Sequence, residues 1–143
     1  MPTEIAYEIS ATATGGGRDK GQSKTEDGAL DITFATPKEM GGSGDGNNPE
    51  QLFATGYAAC FLGAMRHFAA KEKIDMPDDA AVTAKVGIGP RADMGFEIAA
   101  EITAHLPGME KDAARALLEG GHKVCPYSHV LTHATDVTIK LAE

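Results

Sequence analysis

Apolar and polar residues alternate over residues 5–14, with Ile5, Tyr7, Ile9, Ala11 and Ala13 set against Glu8, Ser10, Thr12 and Thr14. A period of two predicts a strand with one buried face. "GGGRDKG" (15–21) reads as a loop whose glycines permit positive φ, and "QSKTED" as a polar edge strand. In "ALDITFAT", Leu30, Ile32 and Phe34 share one face of a third strand, before the glycine- and asparagine-rich loop 37–48. At Asn48 the period lengthens to that of a helix. Asn48 is a good N-cap, Pro49 suits the first helical position, and Glu50 favours the positive end of the dipole. This helix is expected to run to about Lys73, with "DMPDD" closing it.

Two more strands follow, "AVTAKVGIG" and "FEIAAEITAHL", joined by "PRADMG". Residues 110–125 predict an amphipathic helix, with Ala114, Leu117, Leu118, Gly121, Val124 and Cys125 at helical spacing. Pro126 should stop regular helix at or just after Cys125, and "HATDVTIKLAE" reads as a closing strand. The order βββ-α-ββ-α-β predicts one α+β domain over residues 1–143, antiparallel sheets with two central helices. The first helix would be about 37 Å long. So apolar a helix needs cover on several sides: the second helix and the sheet supply part of it, a second subunit the rest.

Charge narrows the classes of partner. The net charge is -8 and the sequence pI near 5.0, which argues against nucleic acid or an anionic membrane as the main partner. No apolar run reaches the length of a membrane span, and "MPTEIAYEIS" has neither the basic start nor the apolar core of a signal peptide. The expectation is a soluble cytoplasmic protein. Two cysteines are too few for a secreted disulfide framework. They are buried hydrophobes, metal ligands or redox groups.

Cys60 lies mid-helix and shares its face with Gly56, Tyr57, Gly63, Ala64 and His67. A helical glycine costs roughly 0.5–1 kcal/mol against alanine, so two of them need a reason. Close helix–helix packing is one. Access for a second side chain to the thiol is the other, and Cys125, with Gly121 one turn before it, is the candidate. Cys125 stands at a helix end against a proline, where backbone is easier to reposition.

Three motifs together, "NPEQLFATGYAACF" around Cys60, "VCPYS" around Cys125 and "GGRD" around Arg18, resemble the organic hydroperoxide resistance proteins of the Ohr/OsmC superfamily. "GYAACF" with "CPYS" looks like the Ohr branch, and the similarity covers essentially the whole chain. The resemblance implies a thiol peroxidase for alkyl and lipid-derived hydroperoxides. It also implies an intertwined homodimer with interfacial sites, no metal or other cofactor, and a lipoylated protein or another dithiol as reductant. Cys60 matches the peroxidatic cysteine, Cys125 the resolving one, and Arg18 and Glu50 the pair that supports the thiolate. The chain departs from the family at Lys20, where glycine is common, and at "HVLTHATDV" after "CPYS", where the family often has "NAT". Both bear on loop mobility and reductant docking and neither touches those four positions.

The chemistry supports these roles. The attacking species must be a thiolate, yet a free thiol with a pKa of about 8.5 is mostly protonated at pH 7, and burial makes this worse. Arg18, always charged and on a glycine-flanked loop, reverses that and can stabilise the leaving alkoxide. Glu50 would hold the guanidinium by a bidentate pair. Glu50 and Cys60 are ten residues apart, roughly 15 Å along a helix, too far for one arginine to contact both easily. Either the helix begins later, or one site takes Glu50 and Cys60 from different subunits; the second is expected. Phe53, Phe61, Met65, Phe68 and Phe96 read as core, and Tyr57 and Tyr127 as packing beside or behind the cysteines. Two rival readings stand. His122, Cys125, His129 and His133 have spacings of three, four and four that suggest zinc, although Pro126 prevents one helical face. A non-enzymatic thiol sensor or small-molecule-binding module would use the same cysteines without turnover.

Overall fold

Glycines punctuate the first strands at the places where backbone must cross backbone. In the computed structural model, which describes residues 2–142, β1 (Ala11–Gly15) pairs antiparallel with β2 (Gly21–Thr25), from Ala11 opposite Thr25 to Gly15 opposite Gly21. The intervening loop returns so tightly that a Cβ on Gly21 would collide with the Gly17 backbone, and Gly17 itself has φ 63°. Strand β3 (Asp31–Thr33) pairs antiparallel with β2, and Phe34 makes an isolated parallel bridge to Asn47. A 3₁₀ turn at Lys38–Met40 ends on Gly41 in the left-handed region. These elements belong to a compact unit of residues 2–54 and 86–97, in which Phe34 and Ala35 are buried.

Helix α1 (Pro49–Glu72) starts on a reciprocal cap: Gln51 N–H donates to Asn48 Oδ1 (2.9 Å), and Asn48 N–H to Gln51 Oε1 (3.0 Å). Strands β4 (Ala81–Pro90) and β5 (Phe96–His105) form a separate two-stranded sheet, closed at its turn by Arg91 N–H donating to Gly95 O. Helix α2 (Lys111–Val124) is capped by Glu110, whose carboxylate accepts from the N–H groups of Asp112 and Ala113. The second compact unit comprises residues 55–85 and 98–142. Its core is Tyr57, Phe61, Ala64, Met65, Ala69, Ala80, Leu117 and Cys125. The side chain of Met65 occupies the space a Cβ on Gly121 would need, and the Phe68 ring does the same at Gly120. Small residues on α2 thus let α1 approach.

The architecture is α+β, and the order β-β-β-α-β-β-α is as read from the pattern. Beyond it the chain differs from that reading. Pro126 both stops α2 and starts a third helix, α3 (Pro126–Thr132), because the missing N–H that ends one helix is no loss at the first position of the next. The predicted closing strand has no ladder partner among the described residues, and Val137, Ile139 and Leu141 are 78%, 91% and 96% exposed. Residues 5–10 likewise precede β1 without joining it, leaving Ile5, Tyr7 and Ile9 exposed. Phe61 and Met65 are core and Phe53 and Phe68 half-buried, but Phe96 is exposed, contrary to its apolar character.

Candidate active site

Two groups of predicted site residues are brought together, one in each compact unit. In the first, the hairpin loop between β1 and β2 carries Arg18 near its tip. The loop is tied down by Lys20 N–H donating to Phe34 O (3.0 Å) and Thr36 N–H donating to Asp19 Oδ1 (3.2 Å). Lys20 has φ 57°, a left-handed conformation that explains why glycine suits this position. The Arg18 guanidinium forks onto Glu50, Nη1 to Oε2 at 3.0 Å and Nη2 to Oε1 at 2.6 Å. Glu50 lies in the first turn of α1, so a later helix start is excluded. Hydrogen bonding to Arg18 holds the Glu50 carboxyl below the usual range despite partial burial, and the same bond raises Arg18.

In the second, Cys60 sits midway along α1 and Cys125 at the junction of α2 and α3. The Cys125 N–H closes α2 on Gly121 O (2.8 Å), and its carbonyl accepts the first bond of α3 from His129 N–H (3.0 Å). Both cysteines are reduced, and Cys125 Sγ donates to Cys60 Sγ at 3.7 Å. Cys125 is wholly buried and Cys60 partly so. Burial pushes the Cys60 thiol above its ordinary value, the Tyr127 N–H donating to the sulfur pulls it partly back, and the adjacent Cys125 thiol adds to the rise. That N–H belongs to the first turn of α3, where amides have no intrahelical acceptor.

The glycines beside Cys60 are not equivalent. A Cβ on Gly56 would lie 2.9 Å from the Tyr127 hydroxyl, so this glycine seats the tyrosine. Among the described residues a Cβ on Gly63 would meet nothing within 4 Å, so close helix approach does not account for this glycine. Tyr57 stacks on Tyr127 (centroids 5.9 Å apart) and meets Phe61 edge-on. Its hydroxyl shares a buried 2.8 Å hydrogen bond with Ser128 Oγ, a pair that reading the sequence missed. The signal was there: Tyr57 precedes Cys60 by three and Ser128 follows Cys125 by three, the spacing of one helical face.

The four residues suggested as zinc ligands do not converge. His129 and His133 stack on each other at 4.3 Å, and among the described residues no three His, Cys, Asp or Glu side chains group as a metal site. No helix among them is long and apolar enough to cross a membrane.

Two reduced cysteines in sulfur contact at the meeting of three helix segments define a dithiol site on an α+β frame. The chain belongs to the OsmC-like protein family, whose model matches residues 42–140, and within it to the organic hydroperoxide resistance branch. It is 46% identical over 142 residues, 99% of this chain and 98% of the relative, to the organic hydroperoxide resistance protein of Xanthomonas axonopodis pv. citri. Organic hydroperoxide resistance protein OhrB of Bacillus subtilis is 33% identical over 134 residues, covering 93% of this chain and 97% of its own. The crystal structure of an organic hydroperoxide resistance protein from Legionella pneumophila superposes with a TM-score of 0.84 at 41% identity, covering 90% of this chain and 91% of that one.

Proposed function

We propose that this chain is a cysteine-based peroxidase that reduces organic hydroperoxides to alcohols. The observation that carries the reading is the sulfur pair: Cys125, with no exposed surface, 3.7 Å from Cys60. A packing cysteine needs no second sulfur in contact. The Cys60 thiolate attacks one peroxide oxygen, the O–O bond breaks, and the alkoxide leaves and takes up a proton. Cys60 becomes a sulfenic acid, Cys125 displaces its hydroxyl as water, and the resulting disulfide is reduced by two electrons from an external dithiol. A lipoylated protein is the proposed donor.

Because burial holds the Cys60 thiol up, the reaction requires a nearby cation. Arg18, kept in a fixed orientation by Glu50, is assigned that role and the stabilisation of the leaving alkoxide. The functional unit is proposed to be a cytoplasmic, intertwined homodimer in which Glu50 and Cys60 of one site come from different subunits. Support for the dimer comes from the exposed alternating apolar residues at both ends of the chain and from the open space at Gly63.

The test is a thiol titration read by mass spectrometry. Reduced protein receives one equivalent of cumene hydroperoxide or of hydrogen peroxide, followed by dihydrolipoamide. Rapid loss of both thiols to a Cys60–Cys125 bridge, faster with the organic peroxide and reversed by the dithiol, is expected. Slow, indiscriminate oxidation without a bridge would leave the cysteines as packing or sensing groups.

A further inference from the structure

Two rungs join α1 to the start of α3. One is the sulfur contact, Cys60 to Cys125 at 3.7 Å; the other is the hydroxyl pair, Tyr57 to Ser128 at 2.8 Å. Residues 57 and 60 are one turn apart on α1, and residues 125 and 128 are one turn apart from the N-cap of α3 inward. The rungs therefore lie side by side. Ser128 is 1% exposed and Tyr57 4%, so the second rung is dry. Around it, the Tyr127 ring stacks on Tyr57 and rests over Gly56, and the Tyr127 N–H points at the Cys60 sulfur.

We propose that the Tyr57–Ser128 hydrogen bond is a positioning device for the resolving step, an inference that rests on the peroxidase reading. Forming the disulfide requires the sulfurs to close from 3.7 Å to about 2.05 Å. Side-chain rotation covers part of that distance, and any further advance of the Cys125 sulfur requires a shift of the α2–α3 junction, because Cys125 connects the two helices through its own N–H and carbonyl. The hydroxyl rung holds the first turn of α3 against α1 one turn away from the sulfurs. It thereby limits that shift to a rotation about the rung and keeps Cys125 within reach of the sulfenic acid. In chemical terms, Cys125 Sγ attacks Cys60 Sγ, the S–O bond breaks, and hydroxide leaves with the thiol proton as water. A sulfenic acid that waits too long meets a second hydroperoxide instead, gains another oxygen and becomes a sulfinic acid, with a second alcohol released. The rung acts on the competition between these two fates.

Tyr57→Phe and Ser128→Ala remove the rung from opposite ends, and the double variant completes a cycle. Each reduced protein receives a graded excess of cumene hydroperoxide, and intact-mass spectrometry measures disulfide against Cys60 sulfinic acid. Each single variant is expected to lower the disulfide-to-sulfinate ratio about tenfold, the size of one lost buried hydrogen bond, with the double variant no worse than either. A merely structural bond would lower the melting temperature and leave that ratio unchanged. If wild type forms the bridge and both variants keep its ratio, the positioning inference is overturned. If wild type forms no bridge at all, it is the peroxidase reading that falls. Should Ser128→Ala fail to fold, Tyr57→Phe, which keeps the ring and its stacking, decides alone.

Discussion

The cysteine pair and the Arg18–Glu50 pair are built from opposite materials. The sulfurs sit on helices whose mutual approach is fixed by glycines, aromatic stacking and a buried hydroxyl pair. The guanidinium sits on a five-residue hairpin loop, roughly a third exposed, and one forked ion pair sets its orientation. Helix packing fixes a distance between side chains, whereas the forked ion pair fixes the orientation of a guanidinium at the tip of a loop that is itself anchored through Asp19 and Lys20. In the proposed mechanism the first serves bond formation between sulfurs and the second holds a charge ready for the peroxide.

The comparison breaks most visibly at the sulfurs. Cys60→Ser is expected to abolish hydroperoxide turnover, a loss on the order of a thousandfold or more. Cys125→Ser should still lose one thiol per peroxide but stop at sulfenic or sulfinic acid; a coupled dithiol-consumption assay with mass spectrometry separates the two. Next comes the loop. Arg18→Ala should slow peroxide reduction about a hundredfold and move the midpoint of Cys60 alkylation by iodoacetamide to higher pH. Mixing Cys60→Ser subunits with Glu50→Ala subunits tests the shared site: recovered activity supports donation across the dimer, and none argues for one-subunit sites.

Smaller effects sharpen the contrast. Glu50 has its folded pKa depressed, chiefly by hydrogen bonding to Arg18, so its stabilisation is present above the unfolded carboxylate value of about 4.3 and lost as pH falls through the lower folded value. After solvent screening it should amount to about 0.5–1 kcal/mol, and Glu50→Gln should flatten the acid limb of a denaturation-versus-pH curve by that much. Asp27 and Asp93 are depressed as well, by Thr25 and Arg91 respectively, so the limb should not vanish. Of similar small size, Lys20→Gly relieves a left-handed backbone at an entropic cost in the unfolded chain, for a net gain of at most about 1 kcal/mol by urea titration.

Local signals account for what was legible beforehand. Asn48, Pro49 and Glu50 mark the start of α1 because caps are satisfied within four residues, a signal to which the structure adds the reciprocal bond from Gln51, and β4 and β5 fall on the two apolar-rich segments predicted around "PRADMG". The approach of Cys125 to Cys60 was one of two open options in the sequence, and the 3.7 Å sulfur contact is what the structure adds. α3 was missed because a proline carries the same signal as a helix stop and as a first helical residue. The exposure of Phe96 was missed because composition cannot tell a core aromatic from one on an unpartnered face. The Tyr57–Ser128 bond is invisible in one motif and emerges only when two motifs 71 residues apart are superposed at helical spacing.

The apolar strips at the two ends of the chain have a consequence for how the protein should behave on dilution. Ile5, Tyr7 and Ile9 at one end, and Val137, Ile139 and Leu141 at the other, present alternating apolar side chains on backbone outside any ladder. In the proposed dimer these segments are where the two chains would meet, so part of the free energy of folding would belong to association. Stability would then follow mass action, with the melting temperature rising with each tenfold increase in protein concentration. Refolding would acquire a second-order phase, and the cellular abundance of the chain would set how much of it is folded.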